Sequence, residues 1–431
     1  MMLIRFLQLQ LRFLILSLII LFSVNQLMAQ LKVAAEYRPR TEYRHGYKSM
    51  FTEDDKAAFF TSQRMRLNGT YTMDKLKFGV SLQDIRVWGD VPQQSSTSNQ
   101  VMLYQGWAEY MFTKQFSMKI GRQELKYDDE RIFGNVDWVQ QGRVHDLALF
   151  KYEKSFKLHV GLAFNQESEK MKTTDYNVIG NYKAMQFVWF NKKIDALNLS
   201  LLFLNNGLQN KSADASPVFK TAFSQTFGTR LVYEKKNVSL FGATYYTSGK
   251  DITLRDLSAY YSSLGLNAKL NDQWGAGLGW ELLSGTSQKE KKANSNYTNN
   301  SFTPFYGTNH KFNGFMDYFY VGNHLNSVGL NDLYGNISYK KKKFNIVLTP
   351  HFFSAANDVL NPAVSGEVMS KSLGTEIDIV AGYKLAENIQ ISGGYSQMFG
   401  TETLKALSGG DNKATNNWAW VMITFKPDFM K

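Results

Sequence analysis

Between Val33 and Arg44 the chain alternates residue by residue. Glu36, Arg38, Arg40, Glu42 and Arg44 fall on one face of an extended segment, and Val33, Ala35, Tyr37 and Tyr43 on the other. The same period of two returns further along. Phe156, Leu158, Val160, Leu162 and Phe164 alternate with Lys157 and His159, and Trp274, Leu278, Trp280 and Leu282 alternate with Gly275, Gly277, Gly279 and Glu281. Phe344, Ile346, Leu348 and Phe352 alternate with Asn345, Thr349 and His351. Each run is about as long as a tilted membrane strand, which needs roughly 9–11 residues.

The connections fall into two kinds. Tight polar turns are expected at Met73-Asp74-Lys75, Thr113-Lys114-Gln115, Glu153-Lys154-Ser155 and Lys192-Lys193-Ile194-Asp195, and again at Lys235-Lys236-Asn237, Asn271-Asp272-Gln273, Lys341-Lys342-Lys343 and Ala386-Glu387-Asn388. Longer stretches rich in Ser, Asn and Gly separate them, near 47–57, 89–100, 126–141, 165–180, 205–222, 248–257, 285–327, 354–371 and 400–415. Eight turns and nine loops predict about 18 strands. The fold class expected is all-β, a transmembrane antiparallel barrel with short periplasmic turns and long extracellular loops. An open edge in hydrocarbon would leave backbone groups unpaired, so a first strand near 31–46 is expected to pair with a last near 415–426.

Two places break the pattern. Asp84 and Arg86 continue the register of Leu76, Phe78, Val80 and Leu82, which calls for a bulge or for a strand that has left the membrane. The strand-like Phe315–Tyr320 would make the strand count odd, so it is assigned to a long, partly ordered loop.

At the N-terminus, Arg5 and Arg12 precede an almost wholly apolar run from Phe13 to Val24, followed by Leu27-Met28-Ala29. This predicts a signal peptide over 1–29 and a barrel over 30–431, because the run is short of the roughly 20 residues of a spanning helix. The outer membrane of a diderm bacterium is the expected location. Aromatic residues at 14% suit the girdles of a barrel. With no cysteine, disulfides, thiolate metal sites and cysteine nucleophiles are excluded. The net charge of +12 favours an anionic partner. For an envelope protein that means an acidic poly- or oligosaccharide, or lipopolysaccharide among the outer-membrane lipids, rather than nucleic acid.

Inward-facing charges are the candidate functional residues, because a barrel of this size can hold water. Arg38, Arg40 and Arg44 on the first strand lie beside Arg64 and Arg66 on the second; Glu109, Arg122, Glu376 and Asp378 are added by other strands. A row of guanidinium groups can pass a carboxylate from site to site. The same residues could instead form a salt-bridge network that fills the lumen. No nucleophile, base and orienting group converge, and six scattered histidines suggest no metal centre, so neither an enzyme nor a cofactor is expected. His310 and His324 share a long loop with Asp317, where contact of a polar loop with water is expected ahead of a metal or sugar site, while His159 and His351 are expected in a wet lumen.

The segment Gly121-Arg122-Gln123-Glu124-Leu125, with Asp129-Glu130-Arg131-Ile132-Phe133-Gly134, Asp137-Trp138, Arg143 and His145-Asp146 after it, resembles the alginate-export family of outer-membrane barrels. Phe305-Tyr306-Gly307-Thr308-Asn309-His310-Lys311-Phe312, Gly314, Met316–Phe319, Gly329–Tyr334 and Gly374–Asp378 extend the resemblance. It differs at His145, where the family has an aromatic residue, and at Leu147-Ala148-Leu149, where an arginine is usual. The resemblance implies an 18-stranded barrel with a positively charged pore for a polyuronate. Arg131 and Arg143 then join the solute path, and Asn309, His310, Lys311 and Asp317 become loop contacts. The barrel-insertion machinery, reading an aromatic at Phe425 or Phe429, and periplasmic secretion proteins are the further partners expected. The alternatives are a general porin and a structural or adhesive barrel with a plugged lumen.

Overall fold

The computed structural model describes residues 31–94, 101–211, 218–320, 324 and 326–429. The expected signal peptide lies outside them. Eighteen antiparallel strands are found among the described residues: β1 (Leu31–His45), β2 (Ala58–Met73), β3 (Leu76–Val87), β4 (Met102–Met111), β5 (Phe116–Gln123), β6 (His145–Glu153), β7 (Lys157–Phe164), β8 (Ala184–Ile194), β9 (Leu197–Lys211), β10 (Phe219–Lys235), β11 (Val238–Lys250), β12 (Asp256–Lys269), β13 (Trp274–Leu283), β14 (Leu330–Lys341), β15 (Phe344–Ser354), β16 (Ser372–Ala386), β17 (Ile389–Gly400) and β18 (Asn416–Phe425). Each pairs with its neighbours in sequence, and β1 pairs with β18 from Tyr37↔Phe425 to His45↔Asn417, so the sheet closes. Seven of the eight turns fall where the polar triplets place them, and the eighth is shifted to Asp195-Ala196 because β8 continues through Lys192, Lys193 and Ile194.

Alternation fixes which side faces lipid. Phe227, Leu264, Leu278, Phe352 and Val421 point outward and are more than half exposed, as are similar residues around the barrel. A continuous apolar belt of this kind is unstable in water and belongs in hydrocarbon. No helix among the described residues is long and apolar enough to cross a membrane.

The irregularity of β3 lies on one side only. Its register with β2 is unbroken, whereas its pairing with β4 shifts between Ser81 and Leu82. Asp84 and Arg86 therefore stay on the outer face at the long-loop end, where they pair with each other at 2.8 Å. Phe315–Tyr320 forms turns and no strand. Two short helices, α1 (Gln288–Ala293) and α2 (Glu402–Ser408), lie in long loops.

The candidate site: a two-loop plug in the barrel lumen

Two of the long loops run inward. The loop 124–144 joins β5 to β6 and the loop 284–329 joins β13 to β14. Their apolar residues Leu125, Ile132, Phe133, Met316 and Phe319 are buried together with inner-wall residues Phe187, Leu204 and Tyr261, forming a hydrophobic core inside the barrel. The loops are also stitched backbone to backbone: Gly134 N–H donates to the Tyr306 carbonyl at 2.8 Å, Tyr306 N–H to Ile132 at 3.1 Å, and Thr308 N–H to Glu130 at 2.9 Å. Two glycines permit this approach. A Cβ on Gly307 would lie 2.2 Å from the Arg131 carbonyl oxygen, and one on Gly134 would lie 2.2 Å from the Thr308 hydroxyl.

The arginines of β1 and β2 hold the first loop against the wall. Arg38 donates to the carbonyls of Asp137, Trp138 and Val139 at 2.8–3.4 Å, and Arg40 to Trp138 at 2.6 Å. Arg64 reaches Gln140 O at 3.4 Å and Arg66 reaches Gln141 O at 3.2 Å. Five successive carbonyls, which a loop inside a barrel would otherwise leave unpaired, thus meet guanidinium donors. Asp137 adds a charge-assisted contact to Arg64 at 2.8 Å and to Arg38 at 3.4 Å. Burial opposes ionisation of Asp137, but Arg64 and Arg38 outweigh it and hold the carboxyl below the usual carboxylate range. The row carries acid as well: Glu36 pairs with Arg64, and Glu42 bridges Arg40 and Arg44 at 2.9 Å each. Arg44 sits higher, a third exposed, over the rings of Tyr47 and Phe60.

Across the lumen the polarity reverses. Arg131 crosses from the first loop to Glu281 on β13 at 2.7 Å and to Asn313 at 2.9 Å, with Tyr261 and Phe312 against its guanidinium. Burial disfavours the charged form of Arg131, but Glu281, Tyr261 and Asp129 together more than compensate. Glu376 and Asp378 on β16 accept from the Met316 and Phe315 N–H groups at 2.7 and 3.2 Å, so they anchor the second loop as the arginines anchor the first. His351 stands between Asp332 at 3.0 Å and Asp378 at 3.7 Å.

Several expected placements change. Arg122 points to the outer face, where it pairs with Asp146 at 2.7 Å, because it shares the register of exposed Ile120. Asn309, His310 and Asp317 are buried inside the barrel and are not surface contacts: His310 binds Asp317 at 2.8 Å and stacks on Trp138, and Tyr47 donates to Asp317 at 2.5 Å. Lys311 donates to the Asp129 carbonyl at 3.0 Å. His159 and His351 are packed, not wet. Glu109 does face inward, where Lys151 and Ser117 bind it. Arg143 donates to Gly307 O at 2.9 Å and has no ion pair among the described residues; burial lowers its affinity for its proton. His145 stacks on Tyr182 with centroids 5.8 Å apart.

Asp137, Trp138 and Asp332 are site residues that the alternation pattern alone does not single out. The available signal was the run Leu125, Ile132, Phe133 and Val136, too apolar for a loop in water.

Residues 29–188 match the model of the alginate export family. That stretch takes in the segment 121–146; the later blocks from 305 onward lie beyond it. No curated protein sequence matches the chain. Among solved structures it is similar to three Pseudomonas aeruginosa proteins. OpdO has 12% identity and a TM-score of 0.60, with 94% of this chain and 98% of that one covered. OccK9 (OpdG) has 11% and 0.62, with 94% and 100% covered. The outer membrane protein OprD has 11% and 0.60, with 93% and 94% covered. The chain is thus a closed 18-stranded β-barrel with the fold of these outer-membrane proteins, and its residues 29–188 match the model of the alginate export family.

Proposed function

We propose that the chain is a passive outer-membrane channel for acidic solutes, uronate oligosaccharides among them, with a bore narrowed by its two inward loops. The carrying observation is the charge balance beside the first loop. Five arginines (Arg38, Arg40, Arg44, Arg64, Arg66) face three carboxylates (Glu36, Glu42, Asp137), and Arg38 borders a cavity of about 420 Å³ whose lining holds three cations, Arg38, Lys384 and Lys426, against the two carboxylates Asp137 and Glu387. A water-filled space with surplus fixed positive charge concentrates anions and repels cations. The family match over the same strands supports a polyuronate as one such anion. A passive pore imposes no direction, so export and uptake use the same geometry.

A second reading, a barrel held shut, draws on the aromatic packing of Phe133 against Phe187 and Tyr306, with centroids 4.8 and 5.8 Å apart. Planar-bilayer recording separates the two. The channel reading expects anion-selective conductance that falls when triuronate is added. A silent wild-type barrel that conducts only after deletion of residues 132–140 would establish the shut form.

A further inference from the structure

A second cavity lies on the long-loop side of the plug, away from the arginine row. It holds about 300 Å³, at the lower end of the roughly 300–1,000 Å³ range of small-molecule sites. Three rings line it: Tyr182 from the loop between β7 and β8, and Phe305 and Tyr306 from the loop 284–329. Tyr182 and Tyr306 meet at 72° with centroids 5.4 Å apart, which makes a corner with flat apolar faces.

The polar groups around these rings are neutral or already engaged. Lys250 donates to Asp256 at 2.7 Å, and Asp251 accepts from Asn299 at 2.9 Å and from the Thr253 hydroxyl at 2.6 Å. Ser224 and Thr303 also line the cavity, and neither hydroxyl has a side-chain partner among the described residues. Next to Ser224, its cross-strand neighbour Asn206 is fully buried with its amide nitrogen unpartnered, while its carbonyl accepts from the Tyr306 hydroxyl at 2.5 Å.

This combination narrows the ligand class. A carboxylate would find no uncommitted cation here, and its desolvation would go uncompensated. A purely apolar ligand would bury the hydroxyls of Ser224 and Thr303 unsatisfied. A pyranose presents a C–H face to the rings and a rim of hydroxyls to Ser224 and Thr303. We propose that the cavity is a binding site for an uncharged pyranose unit of a soluble oligosaccharide. The site is separate from the anion-selective row and stands whether or not the barrel conducts.

The test uses the full barrel in dimethyldodecylamine oxide micelles, with saturation-transfer NMR and calorimetry against maltotriose, cellotriose, mannotriose and a triuronate. At least one neutral trisaccharide is expected to bind. Leu208→Trp, which fills the cavity from β9, is expected to weaken it about tenfold or more, and Phe305→Ala severalfold. Heat-modifiable migration on gels confirms that each variant is a folded barrel, and Phe305→Ala carries the test if Leu208→Trp does not fold. Binding by none of the three neutral sugars overturns the proposal. So does unchanged affinity in the folded variants, or a triuronate that binds as tightly with the same sensitivity to Leu208→Trp. Because the readout is binding, a silent barrel in the bilayer experiment does not bear on it.

Discussion

Arg131 and Glu281 meet 2.7 Å apart across the interior of the barrel, one from an inward loop and the other from the opposite wall, and both are buried. A buried pair broken on one side leaves the other charge stranded, at a cost of about 3–5 kcal/mol. Arg131→Ala is therefore expected to undock the loop 124–144 while the barrel persists. The checks are a rise in single-channel conductance and new protease cleavage within 126–141, with heat-modifiable migration unchanged. A variant with wild-type conductance and protection would show that the apolar core holds the plug without the ion pair.

The joint between the loops depends on closeness that only glycine allows. Gly307→Val places carbon where the Arg131 carbonyl stands, so the backbone bonds of Tyr306 and Thr308 to the first loop should be lost together. Hydrogen exchange at residues 130–134 and 306–308 is expected to accelerate by at least tenfold in step. Faster exchange in only one of the two loops would contradict a shared joint.

Charge reversal at Arg38 probes selectivity. Arg38→Glu removes a cation beside the 420 Å³ cavity and adds an anion facing Asp137, so the reversal potential in a salt gradient should move towards cations. An unmoved reversal potential would mean that ions pass elsewhere, and the anion-channel reading would then lose its carrying observation.

Acid should loosen the plug. Burial, with Lys291 nearby, pushes His324 down to about 4 although its Nε2 lies 3.2 Å from the Gly329 carbonyl. Between the ordinary value of 6.5 and about 4, the opened loop takes up a proton that the packed loop refuses. The packing is thus at full strength above 6.5 and weakens as pH falls, by about 1.4 kcal/mol per unit within that window. Asp137 acts lower: its depressed value means that its contribution is complete above the usual carboxylate range and is lost as pH falls through the depressed value. Hydrogen exchange at 326–329 is expected to rise between about pH 7 and pH 5, and His324→Gln to flatten that rise. A wild-type profile in the Gln variant would place the acid sensitivity elsewhere.

Strand number, turn positions and strand closure were legible because each follows from a local rule. Side chains alternate every residue, so Val33 and Glu36 declare their faces without knowledge of the rest of the chain, and a triplet such as Met73-Asp74-Lys75 can only be a turn. The same rule misplaces Arg122 if its charge is allowed to outweigh its register with Ile120. The direction taken by a loop obeys no such rule. That Asp137 turns inward to Arg64, or that Asp317 reaches Tyr47, depends on residues far apart in the chain, with a carbonyl or carboxylate on one side answering a donor on the other. The motif segments around Arg131, Gly134 and Gly307 were visible as words, but their meaning, two loops clasped to each other, required the third dimension. Their chemistry reads as a solute path in one dimension and as a fastening in three.

Trp138 also marks the seam of the barrel. Arg40 of β1 lies 3.9 Å from its ring centre, while Trp418 and Trp420 of β18 meet it at 5.5 and 4.9 Å. Its seat straddles the junction of the first and last strands, and no such seat exists while those strands are apart. The full set of contacts around this partly buried indole therefore exists only when the first and last strands are joined, so its environment reports a closed wall.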